Sequence, residues 1–100
     1  DGIRAELHGS VSSPPKALDE KEHDMLDMLV ACGNELNLDI HWRDTGGVCD
    51  GNKLAAFGLP NIDTLGPRGG NLHSADEFIL LDSLTERAKL TALFLMKLAK

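Results

Sequence analysis

The sequence offers little to a nucleic acid. Ten Lys and Arg stand against sixteen Asp and Glu, a formal net charge of −6. Phosphate backbones are usually met by a basic stripe, and none is present here. Long apolar runs are missing too: none approaches the ~18 residues that a membrane helix needs, and no signal peptide opens the chain. Neither a nucleic acid nor a membrane is expected as a partner. Cysteine is scarce, with only Cys32 and Cys49. They form no CxxC pair, which argues against a zinc ribbon or a redox motif. The sequence leaves a disulfide between them open. The preferred reading is two free, largely buried thiols, because free Cys packs as a small hydrophobe. A starting Met is absent as well. The first residue is Asp1, so the chain is expected either to begin after a start codon's product or to be cut from something longer.

What is present suits one small domain. The 100 residues are 42% hydrophobic and 26% charged, ordinary values for a globular protein. Residues 3–8, IRAELH, alternate, with Ile3, Ala5 and Leu7 on one face, as a half-buried strand does. GSVSSPP then breaks the pattern. Met25, Leu26, Leu29, Val30, Cys32 and Leu36 recur at helical spacing, so a helix is predicted over about 19–36. Asp19 is its N-cap, and Asp19, Glu20 and Glu22 suit the positive end of its dipole. LDIHWRD alternates again, with Leu38, Ile40 and Trp42 on one face, and predicts a second strand. DGNKLAAFG predicts a short helix with Asp50 near its start and Gly58 at its C-terminal cap. A strand over NIDTL and an extended EFILLD follow. Ser83 and Glu86 form a capping box for a last helix, whose core stripe is Leu84, Ala88, Leu95 and Ala99. This alternation of strands and helices predicts an α/β layered fold with a mostly parallel sheet and flanking helices.

In open α/β sheets, sites collect at the carboxyl ends of strands. DTGGVCDGN, residues 44–52, leaves one such end. Its glycines let backbone approach a ligand closely, although a plain connector has the same composition. His73, in GPRGGNLHSADEF, is either a hydrogen-bonded residue at a helix start or one metal ligand. Zinc needs three or four ligands, and His8, His23 and His41 are poorly placed to help. Glu77, four residues on, chelates with His73 only if the segment is helical. Spacing alone does not complete a metal site.

The stretch from Thr45 to Leu90 resembles the C-terminal end of a family of zinc-dependent carboxypeptidases and deacylases. The family includes glutamate carboxypeptidase, succinyl-diaminopimelate desuccinylase, acetylornithine deacetylase and aminoacylase. The residues that carry the resemblance are Gly46-Gly47-Val48-Cys49-Asp50, then Gly58-Leu59-Pro60, then Gly69-Gly70, and last His73 followed by Glu77-Phe78. LGPRGGNLHS looks most like the glutamate carboxypeptidase branch. Each piece is common, but the ordered set is specific.

The resemblance implies that the chain is an incomplete lobe of a larger catalytic domain. Residues 1–13 would be the last strand of an inserted lid or dimerisation domain with its crossing linker, and residues 14–100 the C-terminal lobe. It further implies two zinc ions, or other divalent metals, and an amide-cleaving reaction on N-acyl amino acids or small peptides. His73 would bind one of the ions, with Asp76 or Glu77 steadying its ring. Gly46, Gly47, Cys49, Asp50 and Asn52 would line the substrate pocket, although Asp50 equally suits a helix N-cap. No general base is expected in these 100 residues, because the family's other ligands and its catalytic glutamate lie upstream. The partners implied are the rest of the parent domain, the small substrate, and a second copy in a homodimeric parent. Ser12 and Ser13 stand where many members carry a carboxylate-gripping arginine near the proline, which puts that contact in doubt. The alternative is a stand-alone, non-catalytic α/β binding or interaction module.

Overall fold

The computed structural model describes residues 2–100. Three helices carry it: α1 (Glu20–Glu35), α2 (Asp50–Ala56) and α3 (Asp82–Leu98). The sheet is a single antiparallel pair, β1 (Gly69–Gly70) with β2 (Phe78–Ile79), in the register Gly69 to Ile79 and Gly70 to Phe78.

Helix α1 begins as its sequence dictates. Asp19 is extended, and its Oδ1 accepts the Glu22 backbone N–H at 2.9 Å, which satisfies one of the donors that a helix start leaves free. The helix ends by chain reversal at Asn37, which takes the left-handed region at φ 55°. Leu38 N–H then donates to Gly33 O at 2.8 Å and Asn37 N–H to Asn34 O at 3.1 Å, the pair of bonds of a Schellman ending. The chain folds back so closely over Gly33 that a Cβ there would lie 2.5 Å from Ile40 Cγ1.

The core is the seam between α1 and α3. Leu29 and Cys32 of α1 pack with Leu90 and Phe94 of α3, and Leu38, Ile40, Ile62 and Leu65 close over the cluster. Burying an aliphatic or aromatic side chain of this size stabilises by about 2 kcal/mol. Lys97, near the end of α3, pairs with Glu35 of α1. The hydrogen bond to the Glu35 carboxylate holds the Lys97 ammonium above the usual lysine range. Edge-on packing of His23 and Trp42, with ring centroids 5.5 Å apart, brings residues 38–44 against α1.

The expected α/β fold with a mostly parallel sheet is not what forms. Ile3 and Leu7 are almost wholly exposed, and residues 3–8, 38–44 and 61–65 belong to no ladder. Alternation marks a segment able to pair, but a strand forms only beside a neighbour that takes its N–H and C=O groups. Among the described residues, the sole pairing is the short hairpin. α3 differs in two further respects. It starts at Asp82, and Ser83 does not cap it. The fully buried Ser83 hydroxyl instead accepts Arg68 N–H at 2.8 Å and donates to Leu80 O at 2.5 Å, which pins the hairpin to the helix. Glu86, the other half of the expected box, takes Arg68 Nε and Nη2 at 3.2 and 3.3 Å. The buried stripe is also rotated: it runs through Ser83, Leu90 and Phe94, while Leu84, Ala88, Leu95 and Ala99 are exposed. α3 is apolar around much of its girth, so periodicity alone did not fix which face turns inward.

This rotation sets the expected outcome of a paired substitution. Leu90→Ala lowers the unfolding free energy by about 2–5 kcal/mol, as truncation in a packed core does. Leu95→Ala, at a 58% exposed position, changes it by about 0.5 kcal/mol or less. Urea titration followed by circular dichroism separates the two. Equal losses would contradict the observed phase of α3.

Candidate functional site

Two neighbourhoods hold the polar chemistry of the fold. The first surrounds His73. Gly69-Gly70 and Phe78-Ile79 pair as the hairpin, and residues 71–77 form its connection. Ser74 Oγ donates to Asn71 O at 2.7 Å and accepts Asp76 N–H at 3.2 Å. Asn71 Nδ2 donates to Asp76 O at 3.4 Å. These bonds build a compact turn rather than a helix start, so His73 and Glu77 do not sit one above the other as i, i+4 helical neighbours. His73 is exposed and takes φ 64°, a region that non-glycine residues enter only when their surroundings impose it. Among the described residues, no hydrogen bond joins its ring to Asp76 or Glu77, the acids expected to steady it.

β1 and β2 form one wall of an open cleft of about 400 Å³. Leu72 and Glu77, on either side of His73 in the chain, reach it, and Arg43 lines it too. Arg43 belongs to LDIHWRD, the segment for which the sequence predicts a second strand. The guanidinium brings a cationic donor fork to the cleft.

The second neighbourhood is a polar knot that the sequence did not reveal. Glu22, expected only to complement the dipole of α1, is 3% exposed. Its Oε1 accepts Asn61 N–H at 3.1 Å, and Lys16 Nζ lies 3.9 Å from its Oε2. Lys16 itself comes from the Pro14-Pro15 segment. Its ammonium donates to Asn61 O at 2.5 Å and Oδ1 at 3.2 Å, and sits 3.4 Å from Asp63 Oδ2. Asn61 Nδ2 donates to Gly51 O and Leu59 O. Cys49 Sγ donates to the same Asp63 Oδ2 at 3.3 Å. Gly51 is buried in the knot, where a Cβ would stand 2.5 Å from Asn61 Oδ1. The arrangement follows from two needs. A buried carboxylate requires a cation and donors, and Lys16, whose side chain is 13% exposed, can reach it only if residues 14–16 lie across α1 and the 61–63 segment.

The expected pocket residues divide between exposure and this knot. Gly46 and Gly47 are exposed and distant in role from any other candidate. Cys49 is the exposed N-cap of α2, not a buried thiol, and both cysteines are free. Its N–H donates to Asn52 Oδ1 at 3.3 Å, while Asn52 Nδ2 donates to Pro14 O at 3.3 Å. Cys49 and Asn52 thus serve to start α2 and to hold the chain before Lys16. Asp50 follows the cap instead of forming it, and pairs with Lys53 at 3.6 Å in solvent. Ser12 is exposed and Ser13 half-buried.

No three His, Cys, Asp or Glu side chains converge to hold a metal ion among the described residues. His73 is one donor, and the residues around it do not fit a zinc centre by themselves. No helix of the described residues is long and apolar enough to cross a membrane. Comparison with protein-family models, with curated proteins and with solved structures finds no match to this chain.

The knot has a measurable signature. Lys16→Met strands the Glu22 carboxylate and destabilises by about 3 kcal/mol, the cost of breaking a buried pair from one side. Adding Glu22→Gln to Lys16→Met recovers part of that loss. Urea unfolding of the two variants checks both statements, and no recovery in the double variant would show that the pair is not the source of the effect.

Proposed function

We propose that this chain contributes a single histidine ligand, His73, to a two-zinc metallohydrolase whose other ligands and general base lie in a longer polypeptide. The reaction class is amide hydrolysis on N-acyl amino acids or small peptides, in the manner of the glutamate carboxypeptidases. The observation that carries this reading is the presentation of His73. It follows the ordered Gly46–Asp50, Gly58–Pro60 and Gly69–Gly70 motifs. It stands exposed on a hydrogen-bonded turn in a left-handed backbone conformation; its chain neighbours Asn71, Leu72 and Glu77 line an open cleft, which His73 itself does not line. Strained non-glycine backbone of this kind concentrates at functional sites. Arg43 in that cleft suits a carboxylate-bearing substrate. Cys49, Asp50 and Asn52 support the reading less, since their contacts serve the start of α2.

Isothermal calorimetry with zinc tests it. The isolated chain binds zinc weakly or not at all and shows no amidase turnover. The longer protein binds two ions, and His73→Ala there removes one of them and the activity together. A tight stoichiometric site in the isolated chain, or a longer protein indifferent to His73→Ala, would overturn the proposal.

A second reading is a non-catalytic interaction module, and one observation favours it. The radius of gyration is 17.6 Å, against about 13 Å for a compact domain of 100 residues. A chain this spread out leaves apolar surface to be covered by something. The coding region discriminates the two readings. An upstream stretch containing His-x-Asp favours the hydrolase, and a reading frame opening near residue 1 favours the module.

A further inference from the structure

The cleft beside the hairpin holds two opposite charges that the fold leaves unused. Arg43 and Glu77 both line it. Of the four arginines, three have a carboxylate within 3.6 Å: Arg4 at Glu6, and Arg68 and Arg87 at Glu86. Among the described residues, Arg43 has no such partner and the Glu77 carboxylate has no cation. The two are not paired with each other either. Apolar surface shares the same space, where Leu72 is 71% exposed and Phe78 47%.

We propose that this cleft binds a small apolar zwitterion, an amino acid or dipeptide with an apolar side chain, its carboxylate on Arg43 and its ammonium on Glu77. The site needs no metal ion, so it goes beyond the zinc reading and does not rest on it.

Three observations select that ligand. The cleft carries one charge of each sign, so a ligand with a single charge leaves either Arg43 or Glu77 facing it without a partner, which costs affinity. The guanidinium fork takes a carboxylate through two parallel bonds, and the Glu77 carboxylate takes an ammonium. The apolar lining accepts an aliphatic side chain, and a volume of about 400 Å³ is in the range of small-molecule sites. Finally, the wall is preformed. Leu80 N–H donates to Arg68 O at 2.8 Å, and the buried Ser83 Oγ accepts Arg68 N–H at 2.8 Å, which fixes the hairpin to α3. Gly70 leaves the Phe78 ring its place, since a Cβ there would stand 2.9 Å from Phe78 Cε1. A wall already in position lowers the ordering cost of binding.

Amide NMR titration of the isotope-labelled chain, with a chelator present, is the test. The probes are leucine, glycyl-leucine, N-acetyl-leucine and leucinamide. Leucine or glycyl-leucine shifts the amides of Gly69, Gly70 and Phe78 saturably at tens of millimolar ligand, and the tighter of the two gives the length of the ligand. N-acetyl-leucine lacks the ammonium and leucinamide the carboxylate, and each binds at least about fivefold more weakly. Arg43→Gln removes the preference over leucinamide, and Glu77→Gln the preference over N-acetyl-leucine. Both variants keep their helicity, because both side chains are exposed. No saturable shift, equal affinity for all four probes, or preferences that survive the two substitutions would overturn the proposal. Because no metal takes part, such a failure leaves the zinc reading untouched.

Discussion

Leu29 and Cys32 of α1 against Leu90 and Phe94 of α3 form the one contact on which the arrangement of this chain depends. Two helices of this length meet along a single stripe each, and a packed stripe excludes water only where both sides are apolar. Everything else is attached to that seam from outside. The Schellman ending of α1 throws residues 38–40 back over Gly33 and onto the cluster. Ser83, buried at the start of α3, fastens the hairpin through Arg68 and Leu80. With so few buried side chains, the seam fixes the direction of two helices but leaves much of the remaining chain to local turns and polar contacts.

The buried Glu22 supplies the second organising constraint. A buried carboxylate obliges partners to come to it, and they come from distant parts of the chain: Asn61 directly, and Lys16, whose ammonium is shared with Asp63 and so linked to Cys49. This requirement recruits the proline segment and the start of α2 to the same side of α1. It also accounts for Cys49 and Asn52, which the family resemblance offers as pocket residues. Their observed bonds are those of a helix start and a tether to Pro14. The two roles are separable in principle, since capping uses the Asn52 amide and leaves the Cys49 thiol at the surface.

The helices were legible because their information is local. Asp19 and the apolar spacing from Met25 to Leu36 place α1 to within a residue, and Gly58, at φ 79°, follows the end of α2 as its position suggests. The strands were not legible, because alternation in IRAELH or LDIHWRD states only that a segment can pair. Pairing is settled by a neighbour elsewhere in the chain. α3 failed in a third way: leucines lie on two of its sides, so both phases satisfied the pattern. At the site, the turn carrying His73 could be suspected from Gly69, Gly70 and Asn71. The knot around Glu22 could not, since nothing in DEKEHD distinguishes a buried glutamate from its solvated neighbours. Lys16 beside two prolines was the only hint that a cation is delivered there on a stiff lead.

The shared oxygen Asp63 Oδ2 has a consequence for how the chain can be probed. It receives both the Lys16 ammonium and the Cys49 thiol, and the thiol is open to reagents while the ammonium is enclosed. An alkylating label on that sulfur would cost this oxygen one of its two donors and place bulk beside Gly51, where no room exists. A surface chemistry confined to one atom is thereby wired to the tether of residues 14–16, so a cysteine-selective dye would report on the N-terminal arm rather than on the helix that bears it.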